Sequence, residues 1–346
     1  MEIYSKRLAH GSAFNPVLAE PTRTNILMLA AFVIALLAVE ILSYGAVGLW
    51  LGLPAWGVVG VVVAGILLFH LLIVLRGFYI SRRCSTEPLE VRRLGPTGWC
   101  RLIGREWAST VLLYTMLQPW QRMFDQPGPP AAKGVPVLFV HGLVCNGAAW
   151  WWMRRQLRKQ GVERTYTINL EPVFSNIDVH AQQLAQRVEQ ICAQTGEPKI
   201  MIIAHSMGGL VARSYLHRYG GERRIAGLLT ACSPHHGTML ARTLPIAENI
   251  RQMQPGNPWL NALNRFEQSA APVPIISVYT AHDNLVSPPT SSRLAYAENI
   301  RLRAVGHVSL LFSCDLLTVV TQFLARYSVP TEASVNHSSI GVGSDT

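Results

Sequence analysis

Charge is what this chain has little of. Only 14 % of its 346 residues are Asp, Glu, Lys or Arg, and the acidic sign is the scarcer, 20 residues against 30 basic. With 49 % apolar content, that balance is unusual for an enzyme in free solution. Cysteine is sparse too: Cys84, Cys100, Cys145, Cys192, Cys232 and Cys314 form no C-x-x-C pair. This excludes a disulfide scaffold and fits reduced thiols. No internal repeat is present. The formal charge of +10 comes without any nucleic-acid motif, so no nucleic-acid partner is expected.

What is present explains the imbalance. Ile26–Val47 is an apolar run broken only by Glu40, and Ala55–Leu75 is a second, broken only by His70. These runs of 22 and 21 residues match a hydrocarbon layer of ~30 Å at ~1.5 Å per helical residue. Gly48–Pro54 between them is an uncharged turn. Tyr44, Trp50 and Trp56 cluster at that end and Tyr79 at the other, as interfacial aromatics do. The expectation is a transmembrane hairpin over 26–77, with Glu40 and His70 at different depths. A signal peptide is the alternative for the first run, although the 25 residues before it make a long leader. Lys6, Arg7 and Arg23 precede the hairpin; Arg76, Arg82, Arg83, Arg92 and Arg93 follow it; the turn carries none. The positive-inside tendency then puts residues 1–25 and everything after the hairpin in the cytoplasm, on a multi-pass protein of the inner membrane. Anionic headgroups account for the basic excess.

The chemistry lies farther along. Lys199–Arg213 reads as a short apolar strand, Ser206 on a sharp turn, and a helix. A serine hydroxyl becomes a nucleophile when such an elbow lifts it clear of the backbone, which needs small residues two before and two after. Ala204 and Gly208 stand there, and Gly209 lets the helix approach the sheet. Upstream, the strand Val135–Val140 opens into His141-Gly142-Leu143-Val144-Cys145-Asn146-Gly147. The amides of Leu143 and Met207 are the candidate oxyanion hole, with His141 bracing the loop and Cys145 as packing. Downstream, the strand Val273–Ala281 ends at Asp283, the candidate acid; Asp178 and Asp315 are rivals that helix capping explains. His307, on a loop behind Gly306, is the candidate general base, against His205, His235, His236 and His282. His205 is expected to point away from the elbow. The chain order is Ser206, Asp283, His307.

With these motifs in view, the block from about Gly134 to Tyr327 resembles the serine lipases and esterases of the α/β-hydrolase fold. It is closest to bacterial lipases with alanine opening the elbow, here Ala204-His205-Ser206-Met207-Gly208. His141-Gly142 resembles that family's oxyanion loop, and Ser233–Thr238 its post-strand loop. The resemblance implies an α/β architecture, a mostly parallel sheet flanked by helices behind the hairpin, and hydrolysis of carboxylic esters through an acyl-enzyme. It implies no cofactor and no metal; no calcium-site signature is visible. A lipid ester at the bilayer is the expected partner, with an acyltransferase, a thioesterase or a non-catalytic membrane scaffold as alternatives.

The expected division is 26–77 hairpin, 78–133 linker, 134–328 catalytic domain with a cap over about 239–271, and 329–346 disordered tail. In the linker, Gly104–Leu117 reads as an amphipathic helix whose apolar side is Trp107, Leu112, Leu113 and Met116. It would lie on the bilayer or on the domain, before the Pro127–Pro130 break. Trp150-Trp151-Trp152 cannot all face a core on a 3.6-residue period. Trp150, Trp151 and, from the cap, Trp259 are therefore candidate substrate contacts, with helix-surface packing as the alternative.

Overall fold

The computed structural model describes residues 28–125, 134–268 and 271–327. The expectations for Lys6, Arg7, Arg23, the Pro127–Pro130 break and the tail lie outside these residues. Two long apolar helices come first, α1 (Met28–Trp50) and α2 (Ala55–Cys84), packed against each other through small residues. A Cβ on Gly65 would meet the Tyr44 ring at 2.6 Å, and one on Gly48 the Val58 Cα at 3.0 Å. Such contacts let apolar helices approach closely where water supplies no driving force. Gly52 turns the chain between them with φ +67°. The outer surface stays apolar and uncovered: Leu42, Leu49, Trp50 and Trp56 are 71, 69, 83 and 79 % exposed. By length and composition both helices could cross a membrane.

The helices depart from the expected bounds. α1 runs into the presumed turn, and α2 continues nine residues past Leu75, to Cys84. Glu40 and His70 are close enough to interact electrostatically, contrary to the expectation of different depths. Pairing of Gly48 with Val58 and of Gly65 with Tyr44 sets the register that brings them level.

Three short helices follow, α3 (Leu89–Arg92), α4 (Pro96–Val111) and α5 (Gln121–Phe124), with a π-helical segment Leu112–Leu117 continuing α4. The α4 segment is wedged between α2 and the rest of the protein. Leu102, Glu106, Leu113 and Leu117 are buried, whereas Leu112 and Met116 are exposed. Trp107 donates its indole N–H to the Leu67 carbonyl of α2 at 2.9 Å. The buried stripe is thus one that a single-helix reading of the apolar residues misplaces, because the helix has two packed sides.

The remainder is one parallel sheet: β1 (Val137–Val140), β2 (Thr165–Ile168), β3 (Ile200–His205), β4 (Ile225–Ala231), β5 (Ile275–Thr280) and β6 (Glu298–Leu302). The strand order is β2-β1-β3-β4-β5-β6, every pair parallel. Strands β1, β3 and β5 are fully buried, and β4 is buried except at half-buried Ala226, as a sheet covered on both faces requires, hence their continuous apolar runs. Helices α7 (Ile177–Thr195) and α8 (Met207–Arg218) cover one face; α6 (Trp151–Lys159) and α12 (Cys314–Tyr327) cover the other. Between β4 and β5, in the segment expected to cap the site, lie α9 (Leu240–Thr243), α10 (Glu248–Gln252) and α11 (Pro258–Asn264). The strand order reverses between β1 and β3, so a crevice opens at their C-terminal ends, where such sheets bind ligands.

Candidate active site

Ser206 stands at the end of β3 with φ 55° and ψ −128°, a backbone that side chains rarely adopt. Its N–H donates to Ala231 O at 2.9 Å, and its carbonyl accepts from Gly209 N–H at 3.0 Å, so both strand and helix hold the strained turn. Glycine is required around it. A Cβ on Gly208 would meet the His141 carbonyl at 2.5 Å, one on Gly142 the Ser206 Cβ at 2.8 Å, and one on Gly209 would overlap Ser233. The first turn of α8 therefore lies directly against the ends of β1 and β4.

The loop after β1 brings Leu143 beside this elbow. Among the described residues, neither the Leu143 N–H nor the Met207 N–H has an acceptor. Both remain able to donate to a substrate oxygen. His141 braces the loop: Nδ1–H donates to Gly142 O at 2.8 Å, and Nε2 accepts from Leu170 N–H at 3.2 Å. Burial drops its pKa to about 4, so it is the neutral tautomer that does this. Asn146 is tied from below, donating its N–H and its side-chain amide to Gln118 at 3.0 and 3.1 Å. Cys145 is buried, and its thiol is pushed up to about 12 by that burial, which fits packing and not nucleophilic attack.

Asp283 and His307 meet as their order suggested. His307 Nδ1–H faces both Asp283 oxygens at 3.0 Å. Asp283 Oδ1 also accepts the N–H groups of Leu285 and Val286 at 2.8 Å each. This leaves Nε2 as the ring nitrogen able to take another partner. Burial alone would lower the His307 pKa; the charge and hydrogen bond of Asp283, with a further contribution from Glu106, outweigh it and raise the pKa. The Ser206 hydroxyl makes no hydrogen bond among the described residues, to His307 or to any other. The rivals are engaged elsewhere. Asp178 pairs with Arg218 at 3.1 Å and accepts from Ser214 and Trp259; Asp315 lies in the first turn of α12. His205 does not point away: its ring packs 4.5 Å from that of His307, and its Nε2–H donates to the His307 carbonyl. Cys232 lies with Asp283 and His307 inside a 4.8 Å cluster of buried donors, its thiol held protonated by burial and by the neighbouring carboxylate.

Two supports of this site were missed in the sequence. Glu106 of α4, with no exposed surface, accepts the Val308 N–H at 2.9 Å and the Ser309 N–H at 2.8 Å, directly after His307. Gly306 is glycine because a Cβ there would overlap that carboxylate. Burial raises the Glu106 pKa, against the lowering effect of the two N–H donors. The second support is α2. Ser81 donates its hydroxyl to the Asp283 carbonyl, and Gly77 packs so closely that a Cβ would meet Asn284 O at 2.6 Å. Asn284 Oδ1 in turn accepts the His307 N–H at 3.0 Å. A lone glutamate in an otherwise amphipathic helix, and the pair Gly77 and Ser81 four residues apart, were the available signals.

The three tryptophans read as substrate contacts are placed otherwise. Trp150 is wholly buried, packed on Phe139 and edge-on to His205. Trp151 packs on Phe124 and under Arg155. Trp259 donates to Asp178 at 2.8 Å beneath the Arg218 guanidinium. Each is held by neighbours on a helix surface or in the core, so helix packing prevails. From α10, Asn249 instead reaches over the elbow, its amide bonded to Val173 O at 2.8 Å and close to the Met207 sulfur.

An elbow bearing Ser206 at the switch point of an all-parallel sheet, with Asp283 and His307 on the loops after β5 and β6, decides the architecture. The fold is an α/β-hydrolase fold. The family model of palmitoyl protein thioesterases matches residues 136–272 of this chain. A triacylglycerol lipase of Pseudarthrobacter phenanthrenivorans is 32 % identical over 119 residues, 32 % of this chain and 36 % of that protein. Lipase B of Pseudozyma antarctica is 26 % identical over 196 residues, 52 % of this chain and 56 % of that protein. The chain thus spans about a third to a half of the length of these curated relatives. In structure, the chain is similar to the mature lipase BlEst2 of Bacillus licheniformis (TM-score 0.51, 20 % identity, 60 % of this chain and 97 % of that one). It is also similar to lipase B of Aspergillus fumigatus (TM-score 0.51, 15 % identity, 59 % and 56 %). By these comparisons the chain is similar to lipases and, over residues 136–272, to palmitoyl protein thioesterases.

Proposed function

We propose that this chain is a membrane-anchored serine hydrolase that cleaves carboxylic esters of lipids. His307 takes the proton of Ser206 as the oxygen attacks the ester carbonyl; the charge developing on the carbonyl oxygen meets the Leu143 and Met207 amides. The protonated His307, held by Asp283, gives its proton to the departing alcohol, leaving an acyl-enzyme. Water repeats the cycle and frees the acid. All parts are side chains and amides of this chain, so the reaction needs no cofactor.

The observation that carries the lipid reading is the docking of both apolar helices on the rim of the site. The Leu29 N–H donates to Glu171 at 3.0 Å and Phe32 packs edge-on to Phe174 in the loop after β2, while α2 holds the acid loop and Arg76 donates to Thr243 of α9 at 3.1 Å. With those helices in a bilayer, the mouth of the site lies at the membrane surface, where amphiphilic esters reside. The basic residues beyond α2 favour the cytoplasmic side of the inner membrane for the domain.

Labelling of the detergent-purified chain with a long-chain fluorophosphonate tests the chemistry, with Ser206→Ala and His307→Ala alongside. Labelling that vanishes in the first and collapses in the second is the expected result. A folded wild-type chain that does not label refutes the mechanism and brings back a non-catalytic scaffold. The match to thioesterases favours one second reading, a thioesterase on the same triad. Paired palmitoyl oxoester and thioester substrates separate the two by kcat/KM. Product analysis with an added alcohol separates hydrolysis from acyl transfer.

A further inference from the structure

Against the loop that carries Asp283 lies a pocket of about 340 Å³. Its walls are the last turns of α2, helix α3, the start of α4 and residues Ala281–Asp283. Three arginines are among its lining residues: Arg82, Arg92 and Arg93. Among the described residues none of the three is paired with a carboxylate. Arg82 stacks over Trp99 with its central carbon 5.7 Å from the ring centroid, and Arg92 donates to the Glu87 carbonyl at 2.9 Å. The nearby Glu87 carboxylate is already held by Arg301 at 3.3 Å. Arg303 adds a fourth cation at the margin, donating to the Arg93 carbonyl at 2.8 Å. The rest of the lining is largely apolar, with Phe78 and Trp99 facing each other edge to face.

Level in the membrane is the second observation. The exposed apolar surface of α2 runs to Leu75, and Tyr79 is 62 % exposed. Arg82 follows Leu75 by seven residues, about 10 Å along a helix. Helical side chains lean back toward the N-terminus, here toward the bilayer, so the Arg82 guanidinium reaches the outer edge of a headgroup layer roughly 5–7 Å thick. A cationic pocket with an apolar side at that depth fits one ligand chemistry, a phosphate carrying acyl chains.

We propose that this pocket binds the phosphate headgroup of an anionic bilayer phospholipid and thereby steadies the acid loop. This rests on the membrane-anchored reading above. The phosphate sits among Arg82, Arg92 and Arg93, and the first carbons of the lipid lie on Phe78 and Trp99. The consequence for the triad is structural: the occupied walls include Ser81 and Asp283, which are joined by a hydrogen bond, so the lipid fixes α2 against the loop that orients His307.

The test uses the full-length chain in neutral detergent micelles doped with phosphatidylglycerol or phosphatidylcholine, with inorganic phosphate as a separate arm. Retained lipid is measured after gel filtration, and the labelling rate of Ser206 by fluorophosphonate is measured in parallel. Phosphatidylglycerol retained over phosphatidylcholine, with labelling accelerated at least about threefold, is expected. Both effects should disappear in Arg82→Gln/Arg92→Gln/Arg93→Gln and weaken in the single Arg93→Glu. They should persist when Lys159, Arg223 and Arg326 are neutralised instead, which separates a site from bulk charge. Equal retention of both lipids, or retention unchanged in the triple variant, overturns the site. Displacement of the lipid by millimolar inorganic phosphate overturns its identity as a lipid site, and retention without faster labelling overturns the link to the triad. Retention is read without catalysis, so selective retention by a chain that never labels refutes the hydrolase reading and leaves the site standing.

Discussion

Replacing Glu106 by glutamine isolates what a carboxylate outside the expected triad contributes. The isostere keeps one oxygen for one of the Val308 and Ser309 N–H groups and turns an amide N–H toward the other. One buried donor is then unsatisfied, which costs about 1–3 kcal/mol. Removing a buried charge relieves its desolvation and offsets part of that. Net destabilisation is therefore modest, and the fold survives. The effect on the base is of a different kind. His307 faces Asp283, Glu106, His205 and Cys232, and its pKa is raised because the two carboxylates overcome burial. Loss of one negative charge favours the neutral imidazole, the form that accepts the Ser206 proton. The acid limb of the labelling rate, followed from about pH 5 to about pH 9, should move to lower pH. Its plateau should fall roughly tenfold, because about 1.4 kcal/mol of misplacement reaches the barrier. Glu106→Asp keeps the charge but shortens the reach, so it should lower the plateau and move the limb less. A folded Glu106→Gln chain with an unmoved limb refutes the electrostatic argument, and an unchanged plateau refutes the positioning argument.

Three further perturbations separate structural from chemical roles. Asp283→Asn should reduce hydrolysis by about 10⁴-fold with the melting temperature little changed, since the imidazole loses its tautomeric anchor; near-normal turnover would move the acid elsewhere. Gly209→Ala should destabilise by about 1–3 kcal/mol through overlap with Ser233. Combining it with Ser233→Gly should recover part of that loss in denaturant titrations, and strict additivity would show that the overlap is not the cause. Trp150→Ala should cost about 3–5 kcal/mol as a core deletion; a raised KM at unchanged stability would restore it as a substrate contact.

Much of the site was legible because its signals are local. The elbow is a contiguous string in which glycines mark where backbones touch, and the acid and base stand where strands end. The two apolar helices are set by length and composition, and the mostly parallel sheet by runs of residues buried on both faces. Sequence by itself therefore determined which residues could form a triad, which loop is the candidate oxyanion loop, and that two segments are long and apolar enough to cross a membrane. Tertiary structure decided what no local period encodes. Trp150 is core because the chain packs it on Phe139 and His205, and three adjacent tryptophans do not say which of them that will be. Helix α2 outlasts its apolar run because its last turns gain partners in the acid loop, some two hundred residues away. Glu106 looked like the polar side of an amphipathic helix. It is buried because its charge is met by two N–H groups on a distant loop, a match that exists only once the chain has folded.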